Sequence, residues 1–151
     1  MSLSVADAFY AARHFLLRPE SDEYHPDKVH GFLAEPEGVT QPTTLTADEI
    51  RALAAPGGPD RFLPPYFDLG GRHIGPADLL FAMLGAAEGA EAVTVTPRRQ
   101  QCEYEDVYPA LRDLRFAGTW MRAEDFADRF LSDRLRLQAW TIRPEAAGGI
   151  R

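Results

Sequence analysis

The side chains of this sequence that could do chemistry are four histidines, one cysteine and a scatter of carboxylates. The densest gathering is Glu20-Ser21-Asp22-Glu23-Tyr24-His25-Pro26-Asp27, followed by His30. Imidazoles and carboxylates together are ligands for zinc or manganese. His25, His30, Asp22 and Asp27 therefore form a candidate metal site if this stretch folds back on itself. Their spacing matches no standard metal signature, and Pro26 prevents a helix from aligning the two imidazoles. A solvated acidic surface loop accounts for the same residues.

A second candidate lies in Leu63-Pro64-Pro65-Tyr66-Phe67-Asp68-Leu69-Gly70-Gly71-Arg72-His73-Ile74. Arg72 offers a planar fork of donors and His73 an imidazole, a pair that could bind an anion or orient a carboxylate. Tyr66 and Phe67 supply flat apolar faces for stacking on a ligand or anchoring an interface. The plainer reading makes Arg72 and His73 the exposed side of a strand. Trp120 and Trp140 could serve a ligand in the same way or belong to the core. Cys102 has only Arg98 and Arg99 nearby to activate its thiol. The sequence contains no Gly-x-Ser-x-Gly elbow, phosphate-binding glycine loop or His-Glu-x-x-His. A carboxylate pair needs no local motif, but nothing here argues positively for an enzyme, and no cofactor is expected.

The elements that must position these groups can be read from caps and periodicity. Ser4 with Asp7 caps a helix carrying Ala6, Phe9 and Leu16 until Pro19. Residues 19–44 are rich in proline and glycine and read as a long ordered loop. Thr46-Ala47-Asp48-Glu49 is a capping box opening a helix through Ile50 and Leu53. Alternating residues around Gly70-Gly71 predict a tight hairpin, and Pro76 starts a helix with Leu79, Leu80, Met83 and Leu84. Val93-Thr94-Val95-Thr96 is a candidate strand, residues 105–114 read as a helix interrupted by Pro109 and 123–135 as a helix, and 135–142 is ambiguous between helix and strand.

Composition narrows the partners. With a net charge of −7 and a pI near 5.0, the chain would repel a phosphate backbone or an anionic membrane surface. The basic clusters are short, Arg98-Arg99 and Arg134 with Arg136. No apolar stretch has membrane-spanning length. One cysteine leaves no intramolecular disulfide to replace a hydrophobic core, and 151 residues suit a single domain.

Two passages align: Pro64, Asp68, Leu69, Gly71, Asp78, Leu79 and Leu84 with Pro109, Asp113, Leu114, Gly118, Asp125, Phe126 and Leu131. The offset is 45 residues before the glycine and 47 after it, a change that a turn can absorb. This is a possible internal repeat. The passage Leu63 to Ala87, with Leu-Pro, a Tyr-Phe-x-Leu stretch, Gly-Gly and a Leu-Leu-Phe-x-Met-Leu helix, resembles the pseudomurein-binding repeat of archaeal and some bacterial surface proteins. The resemblance implies a helix, short turn or hairpin, helix layout and a non-catalytic binder of cell-wall glycan or peptide in which repeats act together. In the second passage Leu-Pro has become Tyr108-Pro109, and the paired glycines have become Ala117-Gly118.

The sequence thus predicts one mainly α domain over residues 1–151, a compact helical unit with one or two short β-hairpins and a disordered tail at 143–151. The expected function is binding of a glycan, peptide or protein through Tyr66, Phe67, Arg72 and His73. Alternatives are a small metal-dependent enzyme using the 20–30 loop and a homodimeric assembly domain joined by the apolar helix at Leu79 to Leu84. Neither nucleic acid nor membrane is an expected partner. The expected location is the cytoplasm for a full-length chain and the cell surface for a piece of an exported protein.

Overall fold

A computed structural model describes residues 3–26, 29–55, 62–102 and 136–143. The first helix, α1 (Val5–Leu17), starts where sequence chemistry requires: the Ser4 hydroxyl accepts from the Asp7 N–H, and the Asp7 carboxylate accepts from the Ser4 N–H, both at 3.0 Å. β1 (His30–Phe32) follows, then β2 (Thr43–Thr46) and α2 (Ala47–Ala54). The cap of α2 is also reciprocal, with Thr46 N–H donating to Glu49 at 2.8 Å and Glu49 N–H donating to the Thr46 hydroxyl at 3.3 Å. The Thr46 backbone hydrogen bond is the main reason the Glu49 carboxyl titrates below its ordinary range. β3 (Phe62–Leu63), the hairpin of β4 (Phe67–Leu69) and β5 (Arg72–Ile74), α3 (Pro76–Ala87) and β6 (Ala92–Val95) complete this part of the chain. A 3-10 turn at Ala139–Thr141 closes the described structure.

These strands overturn the mainly α expectation. Among the described residues three α-helices stand beside six strands, so the fold is mixed α/β. The strands form three separate pairs: β1 with β3 in parallel, β2 with β6 antiparallel, and β4 with β5 antiparallel. β1 and the start of β2 arise inside the 19–44 stretch read as a loop. They have three and four residues and pair with partners far along the chain, so neither strand length nor local alternation reveals them. β2 is rich in threonine because it forms a half-buried ribbon with β6. Leu45 and Val95 are fully buried, while Thr44 and Thr94 share a hydroxyl hydrogen bond of 2.8 Å on the outer side.

One core joins the elements. α1 contributes Ala6, Phe9 and Leu16, α2 Ile50 and Ala54, and α3 Leu79, Ala82, Met83 and Ala86; Leu63, Ile74, Phe32 and Trp140 fill the strand side. Burying each leucine or isoleucine fully contributes roughly 1.5–3 kcal/mol. The segment 136–143 is laced to the N-terminal half. Trp140 meets Phe32 edge-on at 5.1 Å, the Gln138 side-chain carbonyl accepts from Gly31 N–H at 3.0 Å, and Arg143 grips the Asp7 carboxylate at 3.0 and 3.4 Å. Among the described residues no helix is long and apolar enough to cross a membrane. The expected helices at 105–114 and 123–135, the second repeat passage, Trp120 and the tail beyond Arg143 lie outside the described residues.

Candidate functional site

The β4–β5 hairpin is built from its turn outward. Gly70 and Gly71 have φ of 59° and 84°, a backbone region that strains other L residues, and Asp68 Oδ1 steadies the turn by accepting from Gly71 N–H at 2.9 Å. Register places Phe67 opposite Ile74, Asp68 opposite His73, and Leu69 opposite Arg72. Because side chains alternate along a strand, Phe67 and His73 leave the ribbon on opposite sides. Phe67 stacks against Phe9 of α1 at 5.9 Å, beside the fully buried Ile74. On the other side the His73 ring lies nearly parallel to Tyr66, with centroids 3.7 Å apart and planes 13° apart. His73 Nδ1 is 3.0 Å from Glu37 Oε2.

The four residues singled out from sequence therefore separate. Tyr66 and His73 come together as one exposed stack, and Tyr66 keeps 37% of its surface open. Phe67 anchors the hairpin to the core, and Arg72 pairs with Glu49 at the start of α2, at 3.5 Å. The stack stands between two depressions. Tyr66 lines an aromatic cleft of about 490 Å3 shared with Phe9, Tyr10, Phe67, Arg13 and Asp68. His73 lines a polar groove of about 320 Å3 with Glu37, Thr40, Gln41, Thr43 and Arg72. Burial pushes the Tyr10 hydroxyl above its ordinary value, the Arg13 charge opposing it, so this phenol stays neutral near neutral pH beside the Arg13 guanidinium.

The candidate metal ligands are dispersed. His25 is exposed and faces Glu23 at 3.6 Å, whereas His30 lies in β1 and stacks on Phe62 at 4.8 Å. Asp22 is exposed, and Asp27 lies outside the described residues. Among the described residues no three His, Cys, Asp or Glu side chains gather to hold a metal. On α3, Leu79 and Met83 are used by the chain's own core, while Phe81 and Leu84 are exposed. Trp140 is 2% exposed and belongs to the core.

Sequence reasoning missed Glu37, which fixes His73 from 36 residues away, and the buried pair Asp78 and Gln100 beneath it. One signal was present. The N-cap residue of α3, Gly75, has no side chain to accept from the N–H groups of the first turn, so another residue must satisfy them. Gln100 does this: its Oε1 accepts from Ala77 N–H at 3.0 Å and from Asp78 N–H at 3.4 Å.

Comparison with protein families, curated proteins and solved structures finds no match for this chain.

Proposed function

We propose that this chain is a non-enzymatic binding module that offers the Tyr66 face of its hairpin to a cell-wall polymer, glycan or peptide. The observation that carries the reading is the Glu37, His73, Tyr66 stack. An exposed aromatic ring is held by an almost parallel imidazole, which is itself fixed by a carboxylate. A ring immobilised before binding loses little rotamer freedom when a ligand stacks on it. His73 is committed through both a ring face and Nδ1, an arrangement suited to orienting a neighbour. The resemblance to pseudomurein-binding repeats, which rests on Leu63 to Ala87, points to the same hairpin and the helix that follows it. The aromatic cleft and polar groove on either side would receive the apolar and polar parts of an extended ligand.

Cosedimentation with insoluble pseudomurein and with peptidoglycan, against cellulose as a control, tests this. Retention on a wall polymer is expected, and Tyr66→Ala should weaken it on the order of thirtyfold, as loss of an aromatic anchor worth ~2 kcal/mol implies. Equal retention of the variant, or no retention of the wild type on either wall polymer, would refute the proposal.

A further inference from the structure

We infer that Asp78 and Gln100 form a buried positioning device that sets Glu37 against His73 and so fixes the pose of Tyr66. This rests on the reading of the hairpin as the recognition surface. Asp78 is fully buried and Gln100 is 6% exposed. Asp78 Oδ2 accepts from Gly75 N–H at 3.1 Å, which is local helix capping, and from Val39 N–H at 2.9 Å, which is not. A helix start needs no partner 39 residues upstream; the second bond ties the 36–41 loop to α3. Arg98 balances the buried carboxylate, with Nε 3.4 Å from Oδ1 and its guanidinium 4.3 Å above the Phe81 ring.

Gln100 is locked end to end. Its carbonyl caps α3, and its Nε2 donates to the Arg98 carbonyl at 3.0 Å. Gly38 and Gly75 lie so close to this amide that a Cβ on either would overlap Gln100. The loop is therefore seated on the amide at Gly38 and bonded to the carboxylate at Val39. Glu37 is held on its other flank as well, because its N–H donates to the Pro65 carbonyl at 2.9 Å. Pro65 precedes Tyr66, so the supports form a closed circuit: Pro65 to Glu37 through the backbone, Glu37 to His73, His73 to Tyr66. Asp78 and Gln100 fix the one member of that circuit that comes from outside the hairpin.

The test reads the His73 imidazole proton resonances, assigned by their loss in His73→Gln; the ring current of Tyr66 displaces them, and Tyr66→Leu gives their unstacked positions. Asp78→Ala should move them at least halfway to those positions. Asp78→Asn keeps an oxygen for the Val39 and Gly75 N–H groups and should leave them near the wild-type values, although it loses the Arg98 ion pair. A purely stabilising role would lower Tm in both variants without moving His73. Unmoved resonances in folded Asp78→Ala, or equal movement in the Asn variant, would overturn the inference. Should Asp78→Ala not fold, Gln100→Ala gives the same reading: movement supports the inference and wild-type positions refute it. Because this readout involves no ligand, failure of wall binding with a responsive His73 would sink the proposed function alone.

Discussion

Trp140→Ala is the sharpest probe of how the distant end of the chain supports the hairpin. The indole is 2% exposed, meets Phe32 edge-on at 5.1 Å and lies 6.2 Å from Phe9. Phe9 in turn stacks on Phe67, so removing the indole empties one side of a ring whose neighbour carries the hairpin. Truncating a large buried aromatic costs about 3–5 kcal/mol, at least about a fifth of the roughly 5–15 kcal/mol stability of a typical domain. Urea unfolding should show this as a lower midpoint with an unchanged slope. In a Trp120→Phe background Trp140 is the sole indole, and its emission should shift to the red through the same transition. A loss below about 1 kcal/mol, or a Trp140 emission that already matches exposed indole in native buffer, would mean that 136–143 does not pack on α1 and β1.

Two further outcomes follow from local chemistry. For Asp7, burial raises the carboxyl, but hydrogen bonds from Arg143, the Ser4 N–H and the Ser4 hydroxyl, together with the Arg143 charge, outweigh it and hold the group below the usual carboxylate range. A depressed folded-state value stabilises the fold above the unfolded pKa of about 3.9 and ceases to do so as pH falls through the lower value. The Tm advantage of wild type over Asp7→Asn should therefore be full at about pH 6 and fade as pH falls below about 3.9; an advantage that persists in strong acid would contradict the ion-pair account. Gly71→Ala should cost roughly 1–2 kcal/mol in chemical denaturation, because φ is 84° and no atom lies near the new Cβ to add a steric term; an unaltered midpoint would argue against the left-handed turn.

What the sequence discloses is local. The Ser4/Asp7 and Thr46/Glu49 caps, the start of α3 at Pro76, the Gly70-Gly71 turn and the strand near Val93 involve residues a few positions apart, where capping chemistry and alternation act directly. β1, β2 and β3 are hidden because a strand of two to four residues has no measurable period, and its partner lies some 30 or 50 positions away, as His30 with Phe62 and Thr44 with Thr94. The candidate site divides along the same line. Alternation alone puts Tyr66 with Asp68 on one side of the strand and Phe67 with Leu69 on the other, so the separation of Tyr66 from Phe67 was legible. Glu37, Asp78 and Gln100 were not, since each acts through a contact across 22 to 39 residues.

A hairpin with three residues in each strand is not stable by itself in water, so the firmness of Tyr66 must be borrowed. The lenders are spread over the chain: Phe9 of α1 under Phe67, Glu49 at the start of α2 on Arg72, and Glu37 of the 36–41 loop on His73. Two of them also serve the fold, since Glu49 caps α2 and Phe9 is a core ring against Trp140. Stability of the core and presentation of the hairpin are thus coupled through shared residues. The stretch from 46 to 87, although it contains the whole helix, hairpin, helix unit, lacks Phe9, Glu37 and Gln100. The unit visible in the sequence is therefore smaller than the unit that can hold its aromatic face in place.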